Sequence, residues 1–136
     1  MTLEVLFIDD DPDRHRKFKR NINYAKSPIT STHAWTYDSA VSALSEKVYD
    51  IVFFDFDLND FPDHNTSYIA GVYGNTKLTG EDIAVAMLQL PKECWPKECV
   101  VHSMNPGGAN ILERLLSQAG IPTRKEEFHG RLGKHL

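Results

Sequence analysis

Two short apolar runs in this chain end in carboxylates. Val5-Leu6-Phe7-Ile8 enters Asp9-Asp10-Asp11, and Ile51-Val52-Phe53-Phe54 enters Asp55-Phe56-Asp57. An uninterrupted apolar run of this length marks a strand buried on both faces, as in a parallel sheet covered by helices. Ligands of such sheets bind beyond the carboxyl ends of the strands. As neighbouring parallel strands, the two runs would bring Asp9, Asp10 and Asp55 to one rim. Like charges that close repel, and they need a divalent cation or a shared proton. The plainer alternative, ordinary strand-end and helix-cap aspartates, fits a single such pattern better than a pair of them.

The remaining segments alternate strand and helix. Leu3 to Ile8 is the first strand, and Asp11-Pro12 then starts a helix, a capping acid followed by proline at the first helical position. This helix runs to about Tyr24 with Phe18, Ile22 and Ala25 inward. A second strand is expected over His33–Tyr37, then a helix capped by Asp38 with Val41, Leu44 and Val48 on its apolar face. The third strand is Asp50–Phe56. A long stretch follows, an insertion over about 59–78 that holds Asp60, Asp63 and His64, with a weak hairpin signal at Tyr68–Tyr73. Loops of this length in compact domains are usually functional or disordered. A helix resumes at Thr79-Gly80 with Ile83, Met87 and Leu90 toward the sheet; Cys99–His102 is the fourth strand. An amphipathic helix carries Ile111, Leu112, Leu115, Leu116 and Ala119, and Pro122–Phe128 is the last strand. This order predicts one α/β domain over 1–136, a doubly wound five-stranded parallel sheet with helices on both faces.

Composition narrows the function classes. With 41% hydrophobic and 25% charged residues, the chain reads as an ordinary globular protein. A net charge of -4 gives no general attraction to nucleic acid or anionic membrane. No apolar stretch approaches a membrane span and no secretory signal opens the chain, so a cytoplasmic location is expected. Cys94 and Cys99 lack zinc-site or disulfide-framework spacing and are read as reduced structural thiols.

Asp9-Asp10 after the first strand, Asp55 ending the third and Ser103 ending the fourth resemble the receiver domain of two-component response regulators, the CheY-like fold. The resemblance implies that Asp9, Asp10 and Asp55 hold Mg²⁺, that Asp55 accepts a phosphoryl group and that Ser103 contacts it. The chain departs from that pattern in three places. Arg124 and Lys125 lie inside the last strand, where receivers end it with lysine. The residues after Phe128 leave the fifth helix short or absent, and the 59–78 insertion is foreign to an ordinary receiver. The chain is more closely similar to a receiver-like family proposed to process cyclic phosphates. The shared features are Asp9-Asp10 with Arg14, Asp55-Phe56-Asp57-Leu58, Thr79-Gly80 and His102-Ser103-Met104-Asn105-Pro106. Phe56 stands where that family often carries histidine.

The residues themselves suit phosphate chemistry. Asp9, Asp10, Asp55 and Asp57 offer hard oxygen ligands for Mg²⁺ or Mn²⁺. Such an ion polarises a phosphoryl oxygen and activates water. Asn105-Pro106-Gly107-Gly108 opens a helix whose amides and dipole attract an anion, with Ser103 and Asn105 as neutral donors. His102 is a candidate proton carrier, although strand alternation opposes it to Ser103. Arg14 is a candidate phosphate contact or a partner for Asp10 or Asp11. Its neighbours Arg16, Lys17, Lys19 and Arg20 read as a solvated helix face. His33, His129 and His135 have no partner spacing, and Trp35 and Trp95 read as packing residues.

The leading expectation is a metal-dependent phosphoesterase acting on a cyclic or esterified phosphate, in a small molecule or at a nucleic-acid end. Asp55, Asp57 and His102 are its candidate catalytic groups. The rivals are a phospho-accepting receiver in a phosphorelay and an inactive receiver-fold binding module, for which the 59–78 insertion would be the protein-contact surface.

Overall fold

The two acid-tipped runs are adjacent parallel strands, paired Val5 to Ile51 through Ile8 to Phe54. The structure, a computed structural model, describes residues 2–58, 68–69, 76–103 and 105–126. In chain order the elements are β1 (Leu3–Ile8), α1 (Pro12–Ile22), β2 (Ile29–Ala34), α2 (Tyr37–Glu46), β3 (Ile51–Phe54), β4 (Tyr68–Ile69), β5 (Thr76–Lys77), α3 (Gly80–Leu88), β6 (Glu98–Val101), α4 (Pro106–Gln118) and β7 (Thr123–Lys125). Five of the strands form one parallel sheet in the order β2-β1-β3-β6-β7. The short β4 and β5 pair antiparallel with each other, Tyr68 opposite Lys77.

Side-chain alternation splits the apolar runs between two cores. Leu6, Ile8, Val52, Phe54, Cys99 and Val101 pack with Ala40, Leu44, Ile83, Met87, Leu112 and Leu116 from α2, α3 and α4. Val5, Phe7, Ile51, Phe53 and Val100 lie on the other face with Phe18 of α1. Each fully buried side chain of this size contributes roughly 1.5–3 kcal/mol. The strands are therefore held chiefly by what they bury, as the continuous apolar runs predict.

Local chemistry sets the helix ends. Asp11 caps α1 by accepting from the Asp13 amide, with Pro12 in the first turn. Thr79 caps α3, and Asp82 Oδ2 in turn accepts from the Thr79 amide at 2.7 Å. Asn105 caps α4. That helix ends on Gly120, whose φ of 97° lets the Ile121 amide reach back to the Leu116 carbonyl.

Several expected boundaries move. β2 runs over Ile29–Ala34 rather than His33–Tyr37, because Leu3 pairs with Ile29 and the strand is spent when Ile8 meets Ala34. The cap of α2 is Thr36, in a reciprocal capping box with Ser39, and Asp38 lies within the first turn. Val48 falls beyond the end of α2 and is exposed, while Tyr49 is buried in its place. The hairpin signal near Tyr68 corresponds to β4, but its partner is Thr76–Lys77, and Tyr73 lies outside the described residues. Most of the 59–78 insertion, the 127–136 segment where a fifth helix would begin, and Asp60, Asp63, His64, His129 and His135 also lie outside them. Cys94 and Cys99 are free thiols. No helix among the described residues is long and apolar enough to cross a membrane.

Candidate functional site

Beyond the last paired residues the sheet ladder continues for one more hydrogen bond on each strand. The Asp9 amide donates to Ala34, the Asp55 amide to Ile8 and the His102 amide to Phe54. Since Phe7 is level with Phe53 and Phe53 with Val100, adding two residues puts Asp9, Asp55 and His102 level on the α1 face. Asp9 and His102 are fully buried and Asp55 nearly so. His102 stacks on Phe7, ring centroids 4.7 Å apart, and its Nε2 lies 3.0 Å from Asp9 Oδ2. Burial pushes the His102 pKa down, with Asp9 pulling against it. A neutral imidazole donating Nε2–H to an ionised Asp9 satisfies this geometry. His102 and Ser103 do point apart, as alternation requires, and it is His102 that faces the acids.

Arg14, in the first turns of α1, closes over the acids from outside. Its Nε donates to Asp9 Oδ2 at 2.7 Å and its Nη2 to Asp9 Oδ1 at 2.9 Å. The Asp11 amide also donates to Asp9 Oδ1. Burial alone would raise the pKa of Asp9, but the bonds from His102 and Arg14 outweigh it and hold the carboxyl far below the ordinary range. Arg14 thus sits on carboxylates, and the pairing with Asp10 and Asp11 is one of the two roles its position left open. Nη2 lies 3.5 Å from Asp10 Oδ1 and 3.6 Å from Asp55 Oδ2, and Nη1 lies 3.1 Å from Asp11 Oδ2.

One oxygen from each of Asp9, Asp10 and Asp55 falls within 4.8 Å of the others. Asp55 Oδ2 is buried and has no hydrogen-bond partner among the described residues. Burial, reinforced by the charges of Asp9, Asp10 and Asp57 and opposed by Arg14, pushes the Asp55 pKa up to about 9. A carboxyl in that state takes a proton at neutral pH even with Arg14 beside it, unless a further cation stands against it. Hard oxygen donors with one buried oxygen left over fit a Mg²⁺ or Mn²⁺ ion. Asp57, also expected in the metal set, is half-buried beside the cluster.

Two histidines that had no assigned role support this rim from behind. His15 is buried on the inward stripe of α1 with Phe18, and His33 is level with Phe7 on β2. Their Nδ1 atoms face each other at 2.7 Å, His15 Nε2 meets the Asp9 carbonyl at 2.8 Å, and His33 Nε2 meets Ser31 Oγ at 3.0 Å. A carbonyl can only accept, so His15 carries its proton on Nε2. His15 Nδ1 then accepts from His33 Nδ1–H, and His33 Nε2 accepts from the Ser31 hydroxyl. Trp35 stacks on His15, ring centroids 3.8 Å apart. The findable signal was spacing: His15 precedes Phe18 and Ile22 by one and two turns on the face that carries both.

The expected phosphate cradle is engaged in capping. Ser103 Oγ accepts from the Asn105 amide at 3.1 Å, and Asn105 Oδ1 accepts from the Gly108 amide at 3.0 Å. Gly108 therefore has no free amide for an anion, and its lack of a side chain serves packing: a Cβ there would lie 2.4 Å from the Phe56 ring. Gly107 is exposed at the helix start. Phe56 thus packs on α4, and the position between Asp55 and Asp57 does not face the acids. Gly80 lets α3 approach β3, where a Cβ would lie 2.1 Å from the Asp55 carbonyl oxygen. Lys125 ends β7 and turns to α4, with Nζ 2.8 Å from Asn110 Oδ1 and 3.7 Å from Glu113. A cavity of about 380 Å³ opens beside Ser103, walled by Pro106, Ala109, Asn110, Lys125 and Glu126.

Comparison with known proteins places this architecture. A receiver domain (CheY-like) of a response regulator from Methylobacillus flagellatus is 19% identical with a TM-score of 0.62, over 93% of this chain and 86% of that one. The phosphorylated cyanobacterial phytochrome response regulator RcpA is 11% identical with a TM-score of 0.67, over 99% and 88%. A Burkholderia pseudomallei response regulator, solved with a phosphorylated aspartic acid, calcium ion and citrate, is 11% identical with a TM-score of 0.59, over 90% and 58%. At these identities the likeness is one of fold. Among curated proteins, none matches this chain. The profile of the cyclic-phosphate processing receiver domain matches residues 5–118, spanning both acid-tipped strands, Arg14, Thr79-Gly80 and His102 to Pro106. A five-stranded receiver fold and that match together place the chain in the cyclic-phosphate processing receiver domain family.

Proposed function

We propose that this domain is a divalent-metal-dependent phosphoesterase of the cytoplasm, acting on a cyclic or otherwise esterified phosphate in a small molecule or at a nucleic-acid end. The observation that carries the reading is the buried Asp55 oxygen with no hydrogen bond among the described residues, set beside Asp10 and Asp9. Asp9, Asp10 and Asp55 would hold Mg²⁺ or Mn²⁺, with Asp57 at the edge of the set. When bound, the ion supplies charge to polarise a phosphoryl oxygen and lower the pKa of a water. The protein supplies the rest. Asp9 fixes His102 and Arg14 at the rim through their hydrogen bonds. His102, neutral and buried, has the protonation state a proton carrier needs near neutral pH, and Asp57 orients water. Ser103 keeps its hydroxyl hydrogen to donate while its oxygen caps Asn105. The cavity beside Ser103, with Asn110, Lys125 and Glu126 in its wall, accepts the group esterified to the phosphate.

A second reading, a phospho-accepting receiver, is favoured by Asp55 itself, which ends the third sheet strand of a receiver fold; a similar Burkholderia protein was solved phosphorylated on aspartate. Against it, Lys125 faces α4 instead of the acids. Turnover of a panel of nucleoside cyclic phosphates with Mn²⁺, lost in Asp10→Ala, is the result expected of the phosphoesterase. A mass gain of one phosphoryl group from a small phosphodonor, abolished in Asp55→Asn and without turnover of any panel member, would assign the receiver role instead.

A further inference from the structure

We infer that Arg14 is a resident cation of the acid rim, which a divalent metal must displace from Asp10 and Asp55 in order to bind. The inference rests on the metal-site reading above and concerns what guards that site. Arg14 Nη2 lies 2.9 Å from Asp9 Oδ1, 3.5 Å from Asp10 Oδ1 and 3.6 Å from Asp55 Oδ2. These are the three carboxylates that could converge on an ion. A single guanidinium nitrogen therefore occupies the space among them.

A metal ion draws carboxylate oxygens to about 2.0–2.6 Å. It cannot do so while a second cation stands among the same oxygens, because the two positive charges repel and compete for the same lone pairs. The contacts of Nη2 are unequal in a way that suits displacement. Of these three contacts, the one to Asp9 is a hydrogen bond, and those to Asp10 and Asp55 are charge contacts at longer range. Nη1 pairs with Asp11 Oδ2, outside the converging three, so the side chain keeps a mooring after Nη2 leaves. The Arg14 side chain is 19% exposed, against 2% for Asp10 and 3% for Asp55, so its way out is toward solvent. A guanidinium moved there stands at the mouth of the metal site, where an anionic phosphate arrives. The rim thus carries a cation in either state: arginine when metal is absent, and metal with arginine beside it when metal is bound.

The experiment is calorimetric titration of Mn²⁺ into wild type, Arg14→Gln and Arg14→Lys, with circular dichroism to establish that each is folded. Arg14→Gln is expected to bind Mn²⁺ roughly tenfold or more tighter than wild type, as for a coupling of ordinary size between two ligands of one site. Arg14→Lys keeps the charge and is expected within about threefold of wild type. Equal or weaker binding by Arg14→Gln, with wild type binding normally, overturns the inference and leaves the metal site standing. No binding by any of the three overturns both. If Arg14→Gln does not fold, wild type decides alone: hydrogen exchange at the Arg14 guanidinium, followed by NMR, should accelerate on saturation with Mg²⁺. Unchanged or slower exchange overturns the inference.

Discussion

His15 and His33 hold the Asp9 backbone with neutral rings in fixed tautomers, so their protonation is costly. Burial, with Lys19 nearby and the competing titration of His15, lowers the His33 pKa from its ordinary 6.5 to about 4, and burial lowers that of His15. Between those values these two histidines bind more protons in the unfolded chain than in the folded one, so the stability they contribute is full above about pH 6.5 and falls as the pH drops. Urea unfolding midpoints should decline from pH 7 to pH 5. His33→Asn keeps a donor for His15 but cannot titrate, and should show a shallower decline; an unchanged slope would mean His33 is not buried neutral. Asp9 is the residue whose loss should cost most. It accepts from Arg14, His102 and the Asp11 amide, and removing one member of a buried charged set typically costs ~3–5 kcal/mol. Asp9→Ala should lose about that much in denaturant unfolding, whereas Arg16→Ala on the exposed face of α1 should lose less than about 0.5 kcal/mol.

At the scale of elements, two glycines decide how α3 and α4 meet the site, and they differ in what opposes them. A Cβ on Gly80 meets the Asp55 backbone, which cannot turn aside, while one on Gly108 meets the Phe56 ring, which can. Overpacking costs ~1–3 kcal/mol where neighbours yield, and more where they do not. Gly108→Ala should fall in that range and be partly relieved by Phe56→Leu, and Gly80→Ala should exceed it, both read from unfolding midpoints. The Thr79-Gly80 pair was visible in the sequence as a motif, and the structure supplies its reasons: a cap and a close approach. Elsewhere the legibility of elements followed their burial. β1 and β3, buried on both faces, announced themselves as apolar runs. The edge strand β2, Ile-Thr-Ser-Thr-His-Ala, has no such run, and the aromatic residues just beyond it drew the expected strand too far along the chain. His15 was hidden by the basic residues around it, because a composition that reads as a solvated face conceals one inward position.

For the whole molecule, a sheet order of β2-β1-β3-β6-β7 puts β1, β3 and β6 side by side, and their carboxyl ends carry Asp9, Asp55 and His102. The acid rim was legible because parallel register is simple arithmetic once the two apolar runs are paired. The pairing of Arg14 with Asp10 and Asp11 was legible from helical spacing, but its bonds to Asp9, its approach to Asp55 and the capping use of Gly108 were not, since they depend on rotamers and on where α1 and α4 dock. The same topology sets the buried Asp55 carboxyl against its neighbours with no hydrogen bond for Oδ2 among the described residues, an arrangement that a divalent cation would satisfy. Replacing Asp55 by asparagine spares the metal-free rim the cost of protonating a buried carboxylate, so metal-free Asp55→Asn should melt at or above wild type while losing the ligand. The central claim, that this rim is a divalent-metal site, is tested most directly by the paramagnetic resonance signal of free Mn²⁺ titrated with protein. Wild type should remove one Mn²⁺ per chain and folded Asp55→Asn should leave the signal intact; no uptake by wild type, or equal uptake by both, would contradict the account.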